Sequence, residues 1–132
     1  MYKGKIVRVR LRRDTDVQPA WVMVGKVIDF TDYWVTVEGK GITVFRRKVR
    51  TRSSMAVRGL RIVQDDPDTG QMVPAMVDEE PRTVVVPRDN INNVRILPDD
   101  FDLNNIRIVV SGQRVDLVVD GAPNSPIDEL TE

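Results

Sequence analysis

Apolar and polar residues alternate along most of this chain. From Ile6 to Arg12, Val7, Val9 and Leu11 fall on one side and Arg8, Arg10 and Arg12 on the other, the period of two of a half-buried strand with a basic outer row. The same period predicts strands from Trp21 to Phe30, from Tyr33 to Val37 and over Ile42 to Phe45. It returns at about 57 to 63 and 71 to 77, over Arg82 to Val86 and Ile91 to Leu97, and through Ile106, Ile108 and Val110, then Val115, Leu117 and Val119. No window carries the 3.6-residue period of a helix, so the expected class is all-β.

The punctuation between these runs predicts how they connect. Pro19 ends the polar loop 13 to 19, and Thr31-Asp32 turns the second strand into the third. Gly25 stands inside a strand, where a missing side chain suits a sharp bend or a close backbone approach. Glu38-Gly39-Lys40-Gly41 reads as a flexible connection. Asp65-Asp66-Pro67-Asp68-Thr69-Gly70 has the residues of a hairpin loop, so 46–81 reads as an inserted β-hairpin arm. Pro87 to Asn90 separates two short strands, and Ser111-Gly112 closes an added hairpin over 104–120. The expected organisation is one domain over 1–120, followed by an acidic flexible tail over 121–132 that has little to bury.

Composition narrows the functions available. The 132 residues contain neither cysteine nor histidine, which removes disulfides, thiolate metal sites and the commonest general base. No catalytic centre and no cofactor is expected. No apolar stretch of about 18 residues is present to span a bilayer, and the basic start is unlike a signal peptide, so a cytoplasmic protein without membrane contact is expected. The net charge of zero conceals a split: residues 1–63 hold 15 Lys plus Arg against 5 Asp plus Glu, and residues 64–132 hold 5 against 15. That split suits either a polyanion-facing surface opposite an acidic one, or mutual neutralisation within the fold or between subunits.

Two segments carry a resemblance. Gly25, Phe30 and Tyr33 follow the spacing of a glycine, an apolar residue and a turn aromatic, and Val84 to Val86, Arg88, Ile91 and Val94 follow an apolar strand, a basic turn and a second apolar strand. Together they resemble the two motifs of the Sm-like superfamily, which includes the LSm and Hfq proteins. The resemblance implies a small, strongly bent Sm-like (SH3-like) barrel, here with the inserted arm and the extra C-terminal hairpin. It further implies a homo-oligomeric cyclic ring that binds single-stranded RNA without catalysis. By position, Tyr33 would stack on a base and Arg88 would close the pocket, within a site of Phe30, Thr31, Asp32, Tyr33, Arg88 and Asn90. Thr31 stands where the family has an aspartate and Asp89 where it has a glycine, and an acid there implies a weaker pull on phosphate.

The residues also speak without the resemblance. Single-stranded RNA is held by aromatic rings that stack on unpaired bases and by Arg and Lys along the backbone. Tyr33 and Trp34 supply rings, and the basic run with Arg46, Arg47 and Lys48 supplies charge; packing of an aromatic in the core and a solvated loop are the bland alternatives. The acids at 65, 66 and 68 lack the full calcium-loop pattern and fit turn chemistry. Met72, Val73, Met76 and Val77 are candidates for subunit contacts. The competing functional reading is a structural or protein-interaction module with an SH3-like barrel, such as a viral or cellular assembly component.

Overall fold

The computed structural model describes residues 2–12, 20–44, 60–62, 75–111 and 114–129. They form ten strands and no α-helix: β1 (Ile6–Leu11), β2 (Ala20–Phe30), β3 (Trp34–Val44), β4 (Leu60–Ile62), β5 (Ala75–Asp78), β6 (Arg82–Pro87), β7 (Ile91–Ile96), β8 (Ile108–Ser111), β9 (Arg114–Leu117) and β10 (Ser125–Glu129), with one 3-10 turn at Arg88–Asn90. All pairing is antiparallel. The main sheet runs β4-β5-β3-β2-β1-β7, with β6 also on β3, and β10-β9-β8 make a second sheet. The chain is thus all-β, with two open sheets among the described residues.

β2 and β3 hold the assembly together because each contributes buried side chains of both parities. On β3, Val35 and Val37 point into one apolar cluster with Val7, Val9, Met23 and Val27. Ile42 and Val44, of opposite parity, enter a second cluster with Val22, Val24, Ala75 and Val77. The first cluster also receives Val84 from β6 and Ile91 and Val94 from β7. Those strands lie at opposite ends of the order β7-β1-β2-β3-β6, yet the three-residue 3-10 turn joins them. The five strands therefore curl around a shared interior.

Gly25 and Gly39 make the curl possible. They are direct partners in the β2–β3 register, and a Cβ on Gly25 would lie 2.3 Å from the Glu38 carbonyl oxygen while one on Gly39 would lie 2.1 Å from that of Val24. A register shift between Val27 and Asp29 adds a bulge, which sharpens the local twist. Glu38 to Gly41, expected as a flexible connection, are instead the middle of one continuous 11-residue strand. Gly39 serves close backbone approach, while a Cβ on Gly41 would meet the side chains of Asp78, Trp21 and Arg82.

Halfway along, β3 changes partners: residues 34 to 39 pair with β6 and residues 42 to 44 with β5. The junction is sealed by a side chain, since the Gly41 N–H donates to Asp78 Oδ2 at 3.0 Å. Arg82 Nε also donates to Asp78 Oδ2 at 3.0 Å, and the Arg82 guanidinium lies 5.5 Å from the Trp21 ring centre. Within the expected arm, the described strands β4 and β5 pair antiparallel and extend the main sheet. Met76 and Val77 are buried within this chain, so they are not available as subunit contacts. Met72, Val73 and the loop 65–70 lie outside the described residues.

The second sheet covers the outer face of the first. Ile106, Ile108, Val115, Leu117, Val119 and Ile127 pack against Val22, Val24, Ile42 and Val44. This layer changes two readings. Where a flexible tail was expected from 121, β10 pairs with β9 and Ile127 is fully buried. Arg8, placed by alternation on a solvated basic row, is only 3% exposed. Its Nη1 donates to the Pro126 carbonyl of β10 at 2.7 Å and its Nη2 to Asn93 Oδ1. Both acceptors are neutral. Burial, then the nearby Arg95 and Arg10 charges, pull its pKa down to about 10, so it stays charged at neutral pH.

Two outcomes test this account. Gly25→Ala and Gly39→Ala should each cost roughly 3 kcal/mol in urea unfolding, because the new methyl meets backbone and cannot be accommodated by a side-chain shift. Gly4, with φ of 81° and open space around its Cβ position, should lose only about 1 kcal/mol as Ala. Separately, Ile127→Ala should cost about 2–5 kcal/mol as a core truncation. An unchanged urea midpoint would mean that β10 contributes nothing to the core.

Candidate nucleic-acid interface

The β2–β3 turn and the 3-10 turn, 55 or more residues apart in sequence, sit against one another. Thr31 organises the first. Its backbone N–H donates to the Trp34 carbonyl at 2.9 Å, and its Oγ1 accepts from the Tyr33 and Trp34 N–H groups at 3.1 Å each. A short hydroxyl side chain that bonds backbone two and three residues ahead fixes a tight turn, the same service an aspartate would provide.

Arg88 ties the second turn to the first. Its N–H donates to the Tyr33 carbonyl at 2.9 Å and its Nη1 to the Thr31 carbonyl at 3.2 Å. The guanidinium carbon lies 4.8 Å from the Phe30 ring centre, within cation–π range. Asp32 Oδ1 is 4.0 Å from Nη1, a loose ion pair between solvent-exposed groups that contributes little. Arg88 is therefore a brace first, with its outer side left open to solvent.

This bracing leaves two rings in the open. Tyr33 is 76% exposed and Trp34 45% exposed, with ring centres 6.4 Å apart and planes inclined at 44°. Trp34 is paired in register with Pro87, which supports its base from β6. Phe30 is placed differently from the expected contact residue. Tyr2 covers it at 5.1 Å between ring centres and Arg88 lies over it, so it is part of the floor. The N-terminal segment is held there by the Gly4 N–H, which donates to the Val27 carbonyl at 2.8 Å.

Phe30, Thr31, Asp32, Tyr33 and Arg88 are thus brought together. Asn90 stands at the far end of the 3-10 turn, where its carbonyl accepts from the Arg12 N–H at 2.8 Å and the neighbouring Asp89 carbonyl accepts from Arg12 Nη1 at 3.1 Å. Arg46, Arg47 and Lys48 lie outside the described residues. Sequence reasoning did not find the Tyr2 cover or the Arg12 link to the 3-10 turn. Only the chain start and the basic row pointed near them, and neither has a motif. Among the described residues, no group of three or more acidic, histidine or cysteine side chains could hold a metal ion, and no helix is long and apolar enough to cross a membrane. No family model, curated protein or solved structure matches the chain.

Removal of the brace should be visible in the turn. Arg88→Ala should lower stability by about 1–2 kcal/mol, the loss of one hydrogen bond and one cation–π contact. It should also speed amide hydrogen exchange at Tyr33 and Trp34 without altering exchange in β9. Equal exchange at both turn amides would refute the bracing role.

Proposed function

We propose that this chain is a non-catalytic binding protein built on an Sm-like (SH3-like) barrel, and that it holds single-stranded RNA by stacking bases on Tyr33 and Trp34. The observation that carries the reading is the pair of open rings on a turn that Thr31 and Arg88 hold rigid. A rigid, exposed aromatic surface binds bases at little ordering cost, and each stacked base is worth about 1–3 kcal/mol. Support for the barrel comes from the order β7-β1-β2-β3-β6 with a single 3-10 turn between β6 and β7, an order that five-stranded Sm-like and SH3-like barrels share.

Assembly belongs to the same reading. Among the described residues β6 pairs only with β3 and β7 only with β1, so each carries a free edge, and Val85 and Ile96 on them are exposed. Free edges invite pairing with a second copy, and a head-to-tail pairing that repeats around an axis closes a ring. A protein-interaction module is the second reading, and Asp32 favours it. Its fully exposed carboxylate beside Arg88, with the exposed Asp89 next in sequence, offsets the positive charge that a phosphate would seek.

Native mass spectrometry during titration with a short oligouridylate tests both parts. Tyr33→Ala and Trp34→Ala should each weaken RNA binding by about 5- to 150-fold, the equivalent of about 1–3 kcal/mol, and the free protein should have a closed-multiple mass. Saturable binding that both substitutions leave intact would eliminate the stacking site, and a strictly monomeric mass would eliminate the ring.

A further inference from the structure

The C-terminal sheet covers only one half of the outer face of β2 and β3. Val22 and Val24 on β2 and Ile42 and Val44 on β3 are buried beneath it. Side chains alternate along a strand, so Lys26 on β2 and Glu38, Thr36 and Trp34 on β3 point to that same side. None of these four is buried. The register lays out the bare half: Glu38 stands between Lys26 on β2 and Thr83 on β6, Thr36 between Asp29 and Val85, and Trp34 opposite Pro87. At the β2 bulge, Ile28 joins Asp29 against Thr36, and both are exposed.

This half is apolar at its centre. Ile28 is 42% exposed, Trp34 45% and Val85 58%, three of the five large apolar side chains exposed among the described residues. Paired strands lie about 4.8 Å apart and alternate residues about 6.7 Å apart along a strand, so the three fall within roughly 10 Å of Thr36. Single apolar residues on a surface need no explanation, whereas a contiguous group with a polar rim marks an interaction surface. The rim carries both signs. Along β2, Lys26 flanks Ile28 on one side and Asp29 on the other, and Glu38 stands across from Lys26. Among the described residues, the side chains of these three charged residues form no ion pair.

We propose that the bare half of this face is a contact between two copies of the chain, related by a twofold axis near Ile28 and Thr36. Ile28 and Val85 are covered in the contact, and Lys26 of each copy meets Asp29 of the other. A second copy is the occupant that the rim fits, because a twofold axis requires a surface complementary to itself. With the basic group on one flank of the apolar centre and the acidic group on the other, reversal of one copy brings opposite charges together twice. The contact goes beyond the RNA reading and does not need it. It also uses a sheet face, not the free edges of β6 and β7, so it stands or falls apart from the ring.

The test follows the mass of the full chain by sedimentation velocity across micromolar concentrations, without RNA. The unaltered protein should have an even-multiple mass, and Ile28→Asp, on an interior strand of the sheet, should halve it. Lys26→Glu and Asp29→Lys each set like charges at both symmetry-related pairs and should each raise the dissociation constant at least about tenfold. The two reversals together should restore it, a rescue that damage to the fold would not produce. If Ile28→Asp does not fold, the charge reversals decide alone. A monomeric unaltered protein, an unchanged mass in Ile28→Asp or a double reversal no tighter than the single ones would overturn the contact. So would a mass that Ile96→Asp on the β7 edge lowers and Ile28→Asp leaves intact, which would keep the ring.

Discussion

Everything in this fold turns on the contact between two strands that pass closer than side chains allow. Gly25 and Gly39 face each other across the β2–β3 pair at a separation that admits no methyl group on either. Side chains at either position would meet the opposite backbone and force the two 11-residue strands apart at this point. With the close approach, the sheet curls enough for Val84 on β6 and Val94 on β7 to reach the same interior as Val35 and Val37. The curl also carries the 3-10 turn to the β2–β3 turn, so the candidate interface follows from a backbone constraint some distance from its rings.

A curled sheet of this size has a second apolar face to cover. Val22, Val24, Ile42 and Val44 point outward, and the C-terminal sheet buries them. Arg8 makes a polar link between the two layers, reaching through to Pro126. A buried charge is usually tolerated only with good hydrogen bonds, and two of the donors of Arg8 have them. The arginine fixes the position of β10 on the main sheet, which hydrophobic contact alone leaves free to slide.

Some of this was legible in the residues and some was not. Much of the strand sequence and the close backbone approach at Gly25 could be read because alternation and a lone glycine in an apolar run have direct geometric causes. The proximity of Arg88 to Tyr33 came from resemblance of the two motifs, not from periodicity. Gly39 and Gly41 were misread as a connection because glycine usually marks a turn, whereas here Gly39 answers to the backbone of its partner strand and Gly41 to the side chains of Asp78, Trp21 and Arg82. β10 was missed because Ser125 to Glu129 offers one apolar residue, Ile127, and a period needs at least two. Arg8 was assigned to water because alternation defines two faces but cannot say that a layer from the far end of the chain covers the polar one. Phe30 was taken for a contact residue because nothing in the spacing announces that Tyr2 lies upon it.

The partner exchange on β3 has its own consequence. The Asp78 carboxylate, not another strand, satisfies the Gly41 amide where β3 passes from β6 to β5, and the same carboxylate oxygen accepts from Arg82. Across related sequences the aspartate, the glycine and Arg82 therefore cannot drift independently. A change at one of the three should be accompanied by a change at the others.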